Sequence, residues 1–281
     1  IHTTDEDYVL TDNPYADIWG DDWTTGDVDL WAGRLVGDTA ADMLMLLSNG
    51  MNVQPGTGRA VMASVDGWEL GYEPDDGQPG EIPDLFNVPN LLRSRGFQVF
   101  NDTESPRTID VMSPYPANWI NGFRNAANGG MDIFFIGGHD HYDHASIPGD
   151  DFSPDDTPGQ YIRFDDDHPL SLIVGCHGGL PVPDVGVPGG VDHNMVYDLV
   201  HEGARAFIGA TGFSYGSPDD LHKCTWAERL LQLFFRKLTL PPGTNSMAIG
   251  KALANAKDDY VFGFGGDDSL DRKTVTEFQL Y

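Results

Sequence analysis

MDIFFIGGHDHYDH (Met131–His144) opens on a near-continuous apolar run and ends in Gly-Gly-His. A run of this kind reads as a strand of a parallel sheet covered on both faces. A second run, PLSLIVGCHGG (Pro169–Gly179), has the same form and ends in Gly-Cys. RAVMASV (Arg59–Val65), FQVF (Phe97–Phe100) and ARAFIGAT (Ala204–Thr211) read as further strands.

Between these runs lie helical patterns. Asp38–Gly50 is expected to be a helix capped by Asp38 and ended by Gly50. IPDLFNVPNLLRSRG (Ile82–Gly96) reads as a helix interrupted near Pro89 and stopped by Gly96. A helix is also expected to close at Gly129. VDHNMVYDLVHEG, LHKCTWAERLLQLFFRKL and MAIGKALANAKDDY complete the set, and Asp150–Asp167 reads as an acidic loop. Strands alternating with helices predict an α/β fold with a mostly parallel sheet. In such sheets active sites gather at the C-terminal strand ends, here Asp66, the 139–144 histidine cluster and Cys176.

The 281 residues suffice for one large α/β domain. There are 44 acidic against 16 basic residues, a net charge of −28. Such a surface repels phosphate backbones and anionic membranes, which argues against nucleic acid as a partner. It suits a heavily solvated extracellular protein, and loop carboxylates suit structural calcium. No apolar run reaches the length of about 18 residues that marks a membrane span. Two cysteines, Cys176 and Cys224, are too few for a disulfide scaffold.

Two buried strands that deliver a His and a Cys to one sheet edge make a nucleophile and base pair. A thiolate attacks, and a neighbouring imidazole manages its proton. Glycines beside the cysteine let a substrate backbone approach and leave an N–H for an oxyanion. The same stretch also spells HxHxDH (His139, His141, Asp143, His144), the spacing of a dinuclear zinc site. A zinc-dependent hydrolase is therefore the rival reading. It lacks the Asp-x-Gly strand end and the downstream Gly-His-Ser/Thr turn of the metallo-β-lactamase pattern. A catalytically inactive, calcium-dependent surface module is a third.

Five segments in order resemble the gingipain family of caspase-fold cysteine peptidases. They are TDNPYADIWGDD…VDLWAGRL (Thr11–Leu35), MASVDG (Met62–Gly67), the His and Cys strand ends, FIGATGFSYGSP (Phe207–Pro218) and RKTVTEFQLY (Arg272–Tyr281). The resemblance implies a three-layer α/β/α caspase-like sandwich, with a partial N-terminal subdomain over 1–58 and the catalytic subdomain over 59–281. It implies Cys176 as nucleophile, His139 as acid/base and Asp66 as the acid that orients the imidazole. The oxyanion hole would use the N–H of Cys176 and of Asp140, where the family pattern has Gly. Tyr215 would wall the primary pocket, and Glu81 or Asp84 in GEIPDLF would form its base and favour Arg or Lys at P1.

The family also implies structural calcium, no cofactor for the chemistry, secretion, and protein or peptide substrates. The terminal stretch is expected to be a strand. The chain reads as a processed piece of a longer precursor, whose cleaved N-terminal or pro-segment is a further expected partner.

Overall fold

Strand β3 (Ile133–Gly137) lies inside a six-stranded sheet with β1 (Arg59–Ser64), β2 (Gln98–Asn101), β7 (Leu170–Val174), β8 (Ala206–Ala210) and β9 (Phe278–Leu280). The order is β2-β1-β3-β7-β8-β9. All neighbours run parallel except β9, which is antiparallel to β8. This computed structural model describes residues 11–17, 30–37, 39–51, 57–64, 88–101, 125–147, 150–152, 162, 164, 167–181, 194–215, 226–238, 247–263 and 269–281.

The central strands are buried at every position because both faces are covered. Alternate residues feed opposite cores, as the period of two requires. Val61, Ala63, Phe134, Ile136, Ile173 and Phe207 pack with α2 (Ala40–Met51) and α4 (Met195–His201), through Leu46 and Met195, Val196, Leu199 and Val200. Met62, Phe135, Leu172, Val174 and Ile208 face the other way. There they meet α3 (Val88–Ser94), α5 (Trp226–Leu238) and α6 (Ile249–Gly263). Two apolar cores separated by one sheet make the three-layer α/β/α sandwich read from the sequence. Each fully buried Phe or Leu contributes about 1.5–3 kcal/mol of transfer free energy.

Several local expectations are corrected. Helix α2 runs through Gly50 to Met51. Its N-terminus is closed by a reciprocal pair: the Thr39 N–H donates to Asp42 Oδ2, and the Asp42 N–H donates to Thr39 Oγ1. The described part of the Ile82–Gly96 helix is α3, with Pro89 in its first turn, where a missing N–H costs nothing; residues 82–87 lie outside the described residues. Gly96 follows α3 at φ +91°, as a left-handed helix stop. RKTVTEFQLY is mostly helix: α7 (Ser269–Glu277) precedes β9, and only Phe278–Leu280 is strand. A small antiparallel sheet of β4 (His139–Asp140), β5 (Ala145–Ile147) and β6 (Asp150–Phe152) was not foreseen. It turns the start of the expected 150–167 loop into strand.

The first described stretch closes the β9 side. Arg34 forms an ion pair of 2.7 Å with Asp12, and the Arg34 N–H donates to the Leu280 carbonyl. The short helix α1 (Asn13–Ala16) begins beside that pair.

Candidate active site at the C-terminal sheet edge

Ser64, Gly137 and Val174 lie level across β1, β3 and β7. The Gly138 N–H continues the ladder by donating to the Val174 carbonyl at 3.0 Å. His139 and Cys176 each follow these level residues by two positions, so both backbones leave the central strands at the same height. His139 then opens β4, which pairs it with Ser146. Strand β1 ends two residues before Asp66, which lies outside the described residues together with Glu81, Asp84 and Cys224. So do nearly all residues of Asp17–Asp29, Glu69–Asp76 and Asp150–Asp156, the loops with the chemistry expected for calcium.

Cys176 is half-buried and its thiol donates to the Ser214 carbonyl, with Sγ 3.6 Å from the oxygen. Burial pushes the thiol above its ordinary range; Glu277 and Asp140 add to that, and Lys273 opposes it.

The loop after the cysteine is tightly specified. His177 has φ +60°, a left-handed conformation uncommon for a side-chain-bearing residue. Its N–H donates to the Gly212 carbonyl and the Gly179 N–H donates to that of Ala210, so the turn folds back over the end of β8. Gly179 and Gly209 lie so close that a Cβ on either would overlap the other's backbone. The buried Tyr281 hydroxyl donates to the Gly179 carbonyl at 2.7 Å. Asn194 caps α4 by accepting from the Val196 and Tyr197 N–H groups, and its amide donates to the Leu180 carbonyl at 3.1 Å.

Asp140 was expected to supply an oxyanion N–H. The resolved feature is its side chain: the buried carboxylate occupies the space beside Gly175, and its Cβ approaches Gly178. The carboxylate thus lies under the Cys176 loop and disfavours the thiolate.

Phe213, Ser214 and Tyr215 form the segment facing the thiol from β8. The Tyr215 carbonyl accepts from the Ala227 N–H at the start of α5, and its ring meets that of Trp226 edge-on. The buried Lys273 amine lies 4.8 Å from the Tyr215 ring centre and 5.6 Å from that of Phe213. A cation over two rings steadies this segment. Sequence reasoning missed Lys273, Asn194 and Tyr281. Only the Asn before a helical run carried a readable signal, that of an N-cap.

His141, Asp143 and His144 are brought together. Both imidazole Nδ1 atoms bond Asp143 Oδ1, at 2.8 and 2.7 Å. The His141 ring lies 6.3 Å from that of His177, which stacks edge-on against Phe213 at 4.6 Å. The histidine cluster therefore borders the cysteine loop.

The chain superposes over 97% of its length on the Arg-specific cysteine proteinase gingipain R, with a TM-score of 0.63 at 16% identity. It has the caspase-like fold of gingipain R. The complex of Porphyromonas gingivalis RgpB pro- and mature domains matches over the same 97%, with a TM-score of 0.65 and 16% identity. A third structure, described as a protease, matches with a TM-score of 0.55 and 12% identity, again over 97%. The chain spans 58, 59 and 58% of these three proteins' lengths. No family model and no curated protein sequence matches it.

Proposed function

We propose that the chain is a cysteine endopeptidase in which Cys176 attacks the scissile carbonyl and His139 carries the proton. The observation that carries this reading is the shared level of the two strand ends, with Gly137 beside Val174 in the register. The described proteinase neighbours support the same reaction class. His139 takes the thiol proton as Sγ bonds to the carbonyl carbon, and the oxyanion forms against the Cys176 N–H. The imidazolium then protonates the leaving amine. Water, deprotonated by the same imidazole, hydrolyses the thioester. Asp66, two residues beyond β1, would orient the imidazole.

The finer reading follows the same resemblance. Tyr215 walls the P1 pocket, Glu81 or Asp84 forms its base, and Arg or Lys is preferred. An anionic surface favours cationic substrates in addition. Secretion and structural calcium belong to the same proposal. The RgpB neighbour is complexed with its pro domain, and a pro-segment of this protein is a partner of the same kind.

Fluorogenic peptides varied at P1 test the reading. Wild type should cleave, and Cys176→Ala should lose about 10³-fold or more in kcat/KM. Equal cleavage by the variant would overturn the assignment of the nucleophile.

A further inference from the structure

The turn from His141 to His144 joins β4 to β5, and its geometry is fixed by contacts that do not involve its polar side chains. The Asp140–Ala145 and His139–Ser146 pairs close it from below. The His141 N–H donates to the His144 carbonyl at 2.7 Å, and the Tyr142 carbonyl accepts from the Met195 N–H at the start of α4, also at 2.7 Å. Three side chains stand on this frame with one nitrogen or oxygen atom each, all within 4.8 Å of one another.

We propose that His141, Asp143 and His144 form a binding site for one divalent transition-metal ion of the zinc class, at the border of the cysteine loop. Two imidazoles and one carboxylate are the donor set that zinc, cobalt and their neighbours prefer, whereas calcium and magnesium take oxygen almost exclusively. The two Nδ1 atoms already converge on Asp143 Oδ1 at hydrogen-bond distance. A small outward shift of each ring reaches the spacing of ligands held about 2.0–2.2 Å from a shared zinc. The proton on each Nδ1 moves to Nε2 or to solvent as the ion takes its place. The side chains are 46, 38 and 37% exposed for His141, Asp143 and His144, so an ion can enter and a water can complete the coordination.

The Asp143 carboxylate leaves a bound dication with one net positive charge, which suits a protein of net charge −28. His177 borders the site, but its Nδ1 lies 3.3 Å from the Thr211 carbonyl and belongs to the cysteine loop. Residues of that loop are therefore not counted among the ligands.

The test is cobalt(II) titration followed by visible absorption, with zinc displacement by calorimetry, on the full chain carrying Cys176→Ala. Removing this thiol makes the result independent of the peptidase reading and excludes coordination by Cys176. One cobalt per chain with the intense bands of a four- or five-coordinate site is expected, and zinc should displace it. His144→Gln and Asp143→Asn should each weaken binding by more than the roughly 10- to 100-fold that loss of an outer-shell partner costs. Circular dichroism and thermal melts of each variant verify that the hairpin folds. Wild-type-like affinity in both folded variants would overturn the site, as would an absence of bands in the parent protein.

Discussion

The Asp140 carboxylate fills the space that a side chain on Gly175 would need, immediately before Cys176 in the chain. A Cβ at Gly175 would also overlap the Gly138 carbonyl on the neighbouring strand. Gly175→Ala should therefore destabilise the fold by about 1–3 kcal/mol through overpacking. It should also depress kcat by displacing the peptide of Cys176. Adding Asp140→Gly should recover part of the stability and not all, because the carbonyl overlap remains. Full recovery, measured by chemical denaturation, would place the strain in the carboxylate alone.

The thiol should behave as a weak acid in the free protein. Iodoacetamide alkylation of Cys176 should titrate above the usual thiol value of about 8.5. Asp140→Asn removes a negative charge that disfavours the thiolate, so its midpoint should fall. Lys273→Met removes a favourable positive charge, so its midpoint should rise. A raised folded-state value also means that the folded chain holds its proton longer than the unfolded chain. The resulting stability is present below the unfolded thiol value and is lost as pH climbs through the folded one. Wild type should thus lose Tm relative to Cys176→Ala in alkali.

Two remote hydrogen bonds hold the loop that follows the cysteine. Asn194→Ala removes both a helix cap and the tie to the Leu180 carbonyl. Tyr281→Phe removes the donor to the Gly179 carbonyl. Each should cost about 1–2 kcal/mol in stability. Each should also lower kcat more than it raises KM, if Cys176 is the nucleophile as proposed, since the loop follows it directly. Tm and steady-state kinetics on the same preparations separate the two effects.

Lys257 gives a pH signature of the opposite sign. Burial pushes its amine down to about 8, despite Asp12, Asp258 and Glu277 nearby, and Nζ lies 3.3 Å from Asn13 Oδ1. The folded chain therefore releases this proton before the unfolded chain does. Stability should rise with pH between about 8 and the ordinary lysine value near 10.4. The full gain is on the order of 3 kcal/mol, by the conversion of 1.36 kcal/mol per pKa unit. Lys257→Met should flatten this slope in urea denaturation measured across the window.

The sheet was legible because its central strands are buried on both faces, so Ile133–Gly137 and Leu170–Val174 carry unbroken apolar runs. The same runs pointed to His139 and Cys176 as strand-end residues. Strand β9 was misjudged in extent because α7 is short and buries polar residues, with Thr274 and Thr276 returning their hydroxyls to carbonyls at Leu270 and Arg272. The β4–β5–β6 sheet was hidden because its strands are two or three residues long, too short for any period to register. Lys273 was invisible as a site residue because its contact with Tyr215 spans 58 positions of sequence and depends on α7 docking behind the loop.

The most direct measurement is covalent trapping with a peptidyl acyloxymethyl ketone, read by mass spectrometry of the intact chain and of its tryptic peptides. The account predicts a single adduct on Cys176, none on Cys224, and a rate that falls by about two orders of magnitude in His139→Ala, as for loss of a general base. An adduct on Cys224, or labelling of Cys176 at an unchanged rate in His139→Ala, would contradict it.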